Sequence, residues 1–180
     1  TFNNCTKLTE ITIPDSVTSI GQNAFIGTPW LKAKKEENPL VIANDIVVDG
    51  HNCTGKVVIP DGVTSISDSA FDDCTKLTEI TIPKSVTSIG SGAFDDCYRL
   101  TAIDVDTNNE YYASEDGVLF NKNKTVLIRY PMAKDNQKYV IPNSVTSIGE
   151  GAFAFCDGLT TIMIPDSVTS IGSYAFLSCS

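Results

Sequence analysis

Apolar and polar residues alternate in a short pattern that returns along most of the chain. The segment Leu77-Thr78-Glu79-Ile80-Thr81-Ile82 is apolar at its first, fourth and sixth positions, which predicts a strand buried on one side. Its β-branched residues favour that geometry, and Pro83 ends the strand because proline cannot donate to a sheet. Val86-Thr87-Ser88-Ile89 predicts a second extended piece, and the glycine-containing residues 91–97 predict one tight helical turn.

A phrase of the form Ile-Pro-x-[Ser/Gly]-Val-Thr-Ser-Ile occurs five times and gives this pattern its period. Its prolines are Pro14, Pro60, Pro83, Pro142 and Pro165, and the shortest spacing between them is 23 residues. A fixed period between 20 and 50 residues is typical of stacked-repeat solenoids. Phenylalanine falls 11 residues after the proline (the aromatic position), and cysteine falls 14 residues after it (the cysteine position). Stacked units of this kind predict a parallel sheet that grows by about 4.8 Å per repeat.

Incomplete units stand at both ends of the sequence. Residues 1–13 and 165–180 are partial repeats, and neither carries the polar cap that normally closes a solenoid. We therefore expect residues 1–180 to form one solenoid domain that is a slice of a longer repeat array.

The repeated residues resemble a known family. Leu-x-x-Ile-x-Ile is the strand signature of leucine-rich repeats, and the flanking Ile-Pro-x-Ser-Val-Thr-Ser-Ile-Gly-x-x-Ala-Phe-x-x-Cys is similar to the BspA-type leucine-rich repeat. The resemblance implies a curved leucine-rich repeat solenoid with its parallel β-sheet on the concave face. It also implies a bacterial extracellular or cell-surface protein, since several members act as adhesins toward host proteins.

Two stretches depart from the repeat, at about 29–59 and 106–141. In the first, the cysteine position holds Thr28, and Pro29 to Glu37 predicts a short amphipathic helix with Trp30 and Leu31 packed inward. Leu40 to Val48 and Lys56 to Ile59 then predict strands around a turn at Asp49-Gly50. The second stretch predicts hairpins, with turns at Asp116-Gly117 and near Asn121-Lys122-Asn123. We interpret both stretches as modified repeats that keep the stack continuous.

Composition narrows the classes of partner. The formal net charge of −9 argues against nucleic-acid binding, which needs a basic patch. The sequence contains no apolar run of 18 residues, so nothing in this segment is expected to insert into a membrane. The acidic, Thr- and Ser-rich composition suits a soluble extracellular protein.

Six cysteines raise the alternative of a disulfide framework. Five share the cysteine position: Cys5, Cys74, Cys97, Cys156 and Cys179. Neighbouring repeats would bring two pairs within bridging distance, but parallel side chains make a bridge awkward. Buried free thiols are the favoured interpretation. Cys53 stands outside the pattern and is expected to be partly exposed.

No catalytic, metal or cofactor site is predicted. Asp104, Asp106, Asn108 and Glu115 imitate the spacing of a calcium loop, but Asn109 replaces the expected glycine and strands flank the segment. The single histidine, His51, stands beside a predicted turn with no nucleophile motif. We expect no enzyme within these residues.

The outward positions of the strands form the candidate binding face, because they line up from repeat to repeat. We single out Glu10, Thr12, Glu79, Thr81, Asp104 and Met163. The alternative is that threonine is present only for strand propensity. A second candidate is an aromatic patch at Tyr111 and Tyr112, with Tyr130 and Tyr139 nearby, although packing is the competing role for these tyrosines.

Three functions fit these features. The favoured one is a protein-interaction or adhesion module, whose partner would be a protein such as a host extracellular-matrix or surface protein. A passive spacer that presents other domains is the first alternative. A carbohydrate-binding accessory region is less favoured, because aromatic platforms are not predicted on the strand face.

Overall fold

The computed structural model describes residues 1–179 and shows a stack of repeats whose regular elements are short strands and one helix, joined by turns. The elements, in chain order, are α1 (Pro29–Glu37), β1 (Val41–Ala43), β2 (Ile46–Asp49), β3 (Gly55–Val58), β4 (Ser65–Ile66), β5 (Leu77–Ile82), β6 (Ser88–Ile89), β7 (Ala102–Val105), β8 (Tyr112–Glu115), β9 (Val118–Asn121), β10 (Val126–Arg129), β11 (Lys138–Val140), β12 (Ser147–Ile148), β13 (Thr161–Met163) and β14 (Ser170–Ile171).

Each regular repeat contributes one strand to each of two parallel columns. The longer strands pair as β3-β5-β7 and as a separate pair β11-β13, and the short Ser-Ile strands pair β2-β4-β6 and β10-β12-β14. Ile80 lies opposite Ile103, so the register equals the 23-residue period of the sequence. The predicted β-rich solenoid with 23-residue repeats is therefore confirmed.

Both irregular stretches contain the hairpins expected of them. Strands β8 and β9 are antiparallel around Asp116-Gly117, and β9 pairs antiparallel with β10. In the first stretch, however, Leu40 to Val48 is not one strand. It is the β1–β2 hairpin, which turns at Asn44 and Asp45, both with positive φ angles (48° and 57°). Asn and Asp tolerate that backbone region better than most residues. The predicted turn at Asp49-Gly50 instead marks the end of β2.

Gly50 allows the ring of Phe71 in the next repeat to approach the backbone closely. It occupies the aromatic position of its repeat, since its N–H donates to the carbonyl of Ala70 as that of Phe71 donates to Ala93. A Cβ added at Gly50 would lie 2.2 Å from a ring carbon of Phe71. The glycine therefore makes room for the neighbouring phenylalanine ring.

Helix α1 replaces the strand in the first irregular repeat. The hydroxyl of Thr28 accepts a hydrogen bond from the N–H of Leu31, and Pro29 follows it as the first helical residue, a strong helix start. Trp30 and Leu31 are buried, as predicted. The ring of Trp30 lies 4.7 Å from that of Phe25, so the helix is fixed against the preceding repeat.

The segment after each Ser-Ile strand forms consecutive hydrogen-bonded turns rather than the predicted helical turn. The turns stack the aromatic positions of adjacent repeats, with ring centroids 5.7 Å apart for Phe71 and Phe94 and 5.3 Å apart for Tyr130 and Phe153. Such spacings suit offset aromatic pairs. Tyr130 is fully buried and takes the place of phenylalanine in the second irregular repeat.

The cysteines form a ladder of thiol hydrogen bonds along the stack. The thiol of Cys97 donates to the carbonyl of Phe71 (3.1 Å), and that of Cys179 donates to Phe153 (2.9 Å), in each case one repeat back. The thiol of Cys74 reaches Gly50 in the same way (3.1 Å). All six cysteines are free, as favoured, although Cys5 is exposed.

The prediction for Cys53 was wrong. It is only 2% exposed, and its N–H donates to Gly50 as the N–H of Cys74 donates to Phe71. Cys53 therefore occupies the cysteine position of the first irregular repeat. Burial raises the pKa of Cys53, Cys97 and Cys156 to about 12 and that of Cys74 to about 11, so these thiols stay protonated near neutral pH.

The buried side chains fall into three clusters that divide at the irregular repeats. The first contains Phe25, Trp30 and Ile46, the second runs from Leu40 to Leu119, and the third runs from Val118 to Ala175. Asn109 is buried on the side of the second cluster, where its side chain donates to the carbonyls of Pro83 and Val86 and accepts from the N–H groups of Tyr111 and Tyr112.

Candidate functional site

The strand face keeps half of its predicted residues together. Glu79 and Thr81 point outward from β5, and Asp104 lies beside Thr81 on β7. Lys56 of β3 forms an ion pair with Glu79 (2.8 Å) across the strands. Because both partners are solvent-accessible, this pair contributes little stability. It leaves a mixed-charge surface at the centre of the three-stranded sheet.

The other predicted residues lie elsewhere. Met163 pairs with Val140 in the separate two-stranded sheet. Glu10 and Thr12 precede the first strand and line a cavity of about 380 Å³ between their segment and α1. Helix α1 and the β8–β9 hairpin thus divide the predicted face into three patches.

One outward register position of this face carries exposed apolar side chains in two of its patches; these side chains are here called the apolar column. Val58 lies on the three-stranded sheet, and Val140 and Met163 lie on the two-stranded sheet. Val58, Val140 and Met163 are 68%, 57% and 49% exposed, and they share the register position of Thr81. Threonine at that position would satisfy strand propensity alone. Apolar residues in its place add surface that is costly to leave in water.

The predicted aromatic patch separates into one exposed and three packed tyrosines. Tyr111 is 52% exposed, whereas Tyr112 is half-buried and its hydroxyl accepts a hydrogen bond from the N–H of Ile89 (3.0 Å). Tyr130 and Tyr139 pack against each other with ring centroids 4.9 Å apart. Burial raises the pKa of Tyr130 to about 12. Tyr112 caps the edge of the Ser-Ile sheet.

A groove lies over the turns that follow the Ser-Ile strands, and sequence reasoning did not identify it. This turn groove has a volume of about 520 Å³ and combines carboxylates from three repeats with an apolar wall. Its acidic residues are Asp68, Asp72, Asp95, Asp96 and Glu150, and its larger apolar residues are Met132, Phe155, Tyr174 and Leu177. These positions vary from repeat to repeat, so only the stacking brings them together.

The carboxylates that line the turn groove are here called its acidic wall, and they repel one another. Burial raises the pKa of Asp72, and the charges of Asp96, Asp95 and Asp73 raise it further. The sole cation paired with this wall in residues 1–179 is Arg129, which donates from Nη1 to Asp95 (2.9 Å) and to the carbonyl of Gly151 (2.7 Å).

Arg129 lies in a repeat that is shortened. Leu127 pairs with Ile148, and Tyr130 stacks on Phe153. Two residues separate Leu127 from Tyr130 along the irregular repeat, whereas four residues separate the equivalent positions in the next repeat. The side chain of Arg129 is 6% exposed and lines a notch of about 210 Å³ beside the turn groove. Its Nε and Nη2 have no hydrogen-bond acceptor among the described residues.

The family follows from a direct comparison with family models. The model described as "BspA type Leucine rich repeat region" matches six copies, at residues 1–45, 49–126 and 132–180. The chain belongs to the BspA-type leucine-rich repeat family. No curated protein matches it.

Solved structures agree with the BspA-type assignment. A leucine-rich repeat protein from Eubacterium ventriosum is 31% identical over 98% of this chain and 46% of its own length, with a TM-score of 0.72. A leucine-rich cell surface protein from Faecalibacterium prausnitzii is 34% identical over 72% of this chain and 40% of its own length, with a TM-score of 0.59. The pneumococcal vaccine antigen PcpA is 29% identical over 69% of this chain and 37% of its own length, with a TM-score of 0.61. The chain therefore spans less than half of each of these proteins.

BspA-type repeats are generally binding modules rather than enzymes. Accordingly, His51 has a structural contact: its Nδ1 lies 2.9 Å from the carbonyl oxygen of Asp72. Residues of the calcium-like spacing also make hydrogen bonds and an ion pair within the described chain. Asp106 accepts two hydrogen bonds from Asn108, and Glu115 pairs with Lys124. No helix within residues 1–179 combines the length and apolar character required to cross a bilayer.

Proposed function

We propose that this chain is the binding region of a cell-surface or secreted protein and that it acts in adhesion. The family and fold support a protein-interaction module. The surface assignment draws on the Faecalibacterium relative, which is described as a cell surface protein, and on the pneumococcal relative, which is described as a vaccine antigen. The partner in this proposal is a protein on a host surface or in its extracellular matrix.

The observation that carries the proposal is the exposed apolar column of the strand face. Val58, Val140 and Met163 stand on rigid, hydrogen-bonded strands, where an ordered side chain loses little entropy on binding. Glu79 and Asp104 lie on the same three-stranded sheet as Val58 and supply charges that orient a partner. A passive spacer would not require apolar residues at these outward positions.

The test replaces the apolar column without disturbing the fold. The variant V58T/V140T/M163T inserts the residue that Thr81 already provides at the same register position. Extracellular-matrix proteins are screened for binding to the native chain and to this variant by surface plasmon resonance. We expect a saturable interaction that weakens at least tenfold in the variant, about 1.4 kcal/mol.

A second variant controls for apolar surface in general. I26T/I171T removes two other side chains that are 45% and 54% exposed but lie off the strand face. It should bind like the native chain. A third variant, E10Q/T12A/E79Q/T81A/D104N, tests the polar residues of the predicted face. Absence of any matrix-protein interaction, or equal loss in the control, would favour the spacer function.

A further inference from the structure

We propose that the turn groove is a second interaction surface, which binds a segment of a protein that carries lysine or arginine beside an apolar residue. This inference extends the proposed binding function to a different face of the solenoid. It rests on the shape of the groove, the charge of one wall, the apolar character of the other, and the buried guanidinium next to it.

Most carboxylates of the acidic wall have no cationic partner within residues 1–179. Asp68, Asp72, Asp96 and Glu150 form no ion pair with any described residue, and Arg129 engages Asp95 alone. The carboxylates come from three repeats, so a ligand must be extended to reach all of them. A basic side chain placed among them would relieve the repulsion between Asp72 and its neighbours.

The apolar wall indicates that the ligand is more than a cation. Phe155 and Leu177 line the groove opposite the carboxylates, and Tyr174 is 68% exposed beside them. Tyr98 packs edge-on against Phe155, with ring centroids 6.0 Å apart, which fixes that ring. An apolar side chain adjacent to the basic one would cover this wall.

Arg129 supplies a second, independent observation, because it shows a guanidinium bound to one carboxylate of this wall. Its guanidinium is more than nine-tenths buried, is held by Asp95 and Gly151, and keeps two nitrogens without an acceptor. The notch that it lines shares Ser91 and Glu150 with the groove. The basic side chains of a peptide suit the carboxylates that Arg129 leaves unpaired.

The probe is a fluorescein-labelled peptide, Lys-Leu-Lys-Gly-Lys-Leu-Gly, followed by fluorescence anisotropy with the whole 180-residue chain. The groove variant is D68N/D72N/D96N, in which asparagine keeps the oxygen that accepts from the N–H of Ser91. The matched control is D15N/D61N/D166N, which removes the same charge from exposed turns after three repeat prolines. Circular dichroism verifies the fold, and D72N alone replaces the triple variant if the latter does not fold.

The proposal predicts saturable binding that weakens at least fivefold in the groove variant and less than twofold in the control. Binding should also weaken as salt rises, and peptides with lysine changed to glutamate, or leucine changed to serine, should bind more weakly. Equal loss in both variants would reduce the interaction to general charge attraction and overturn the proposal. Binding of a neutral oligosaccharide in place of the peptide would overturn it as well. Since the strand face carries none of these substitutions, matrix-protein binding through that face would survive such a failure.

Discussion

Raising the pH from 8 to 10 should destabilise the solenoid through its buried thiols. Cys53, Cys74, Cys97 and Cys156 are buried, and their pKa values are raised to about 11 or 12 in the folded chain. An unfolded cysteine ionises near pH 8.5. The folded state therefore holds protons that the unfolded state releases, so the stabilisation is complete below pH 8.5 and is lost as pH rises toward the folded pKa.

The magnitude follows from the number of thiols. Each thiol loses up to about 1.4 kcal/mol per pH unit once its unfolded form ionises. A discount for solvent screening leaves about 1 kcal/mol per thiol, or about 4 kcal/mol for the four, between pH 8 and pH 10. This is a large part of the 5–15 kcal/mol that typically stabilises a domain. Tyrosine and lysine ionise near pH 10 and pH 10.4 in unfolded chains, at the upper edge of this window, so the thiols account for most of the change below pH 10.

The assay is urea denaturation at pH 8, 9 and 10, followed by circular dichroism. The midpoint should fall steadily, and the variant C97T should lose about a quarter of the pH dependence. Threonine is the matched replacement because Thr28 already occupies the cysteine position of another repeat and donates its hydroxyl to Phe25 (2.7 Å). A midpoint that is constant from pH 8 to pH 10, or a C97T variant with unchanged pH dependence, would refute the reasoning.

Three further outcomes test the packing. Gly50→Ala should cost about 1–3 kcal/mol, because the added methyl overlaps the ring of Phe71, and an unchanged thermal midpoint would contradict this. Asn109→Ala should cost about 3 kcal/mol by leaving buried backbone groups unpaired, whereas the exposed control Asn108→Ala should cost much less by the same melt. Iodoacetamide at pH 8 should modify the exposed Cys5 rapidly, and the four buried thiols only after urea is added. Intact mass counts the modified cysteines, and rapid labelling of all six in the native chain would disprove the protection of the buried thiols.

The repeat could be predicted from sequence because every regular unit repeats the same burial pattern. Strand β5 and the Asp116-Gly117 hairpin were located correctly for this reason. The position of Cys53 was predicted wrongly because Gly50 replaces the aromatic residue that normally precedes the cysteine by three positions. The Asn44-Asp45 turn carried a usable signal, two residues that tolerate positive φ, but the adjacent Asp49-Gly50 pair was preferred.

The candidate surfaces were harder to predict, since they depend on contacts between repeats. The strand positions were identified, but not their division by α1 and by the β8–β9 hairpin. The turn groove was missed because equivalent positions of the repeats differ in chemistry: Asp72 and Asp95 are acidic, whereas Ala154 is apolar. A single repeat therefore shows which residues face outward, and only the stack shows which of them meet.

The division of the core into three clusters has a mechanical consequence. The second and third clusters are joined through the second irregular repeat, where the β2-β4-β6 column ends and the side chain of Arg129 bridges Asp95 and Gly151. When such a chain is pulled along the stack, every joint carries the same force, but the force per bond is greatest at this joint because fewer backbone hydrogen bonds share it there. Extension in an optical trap should therefore proceed by discrete steps, with one cluster yielding while the others remain intact. An array built in this way lengthens under shear before it fails.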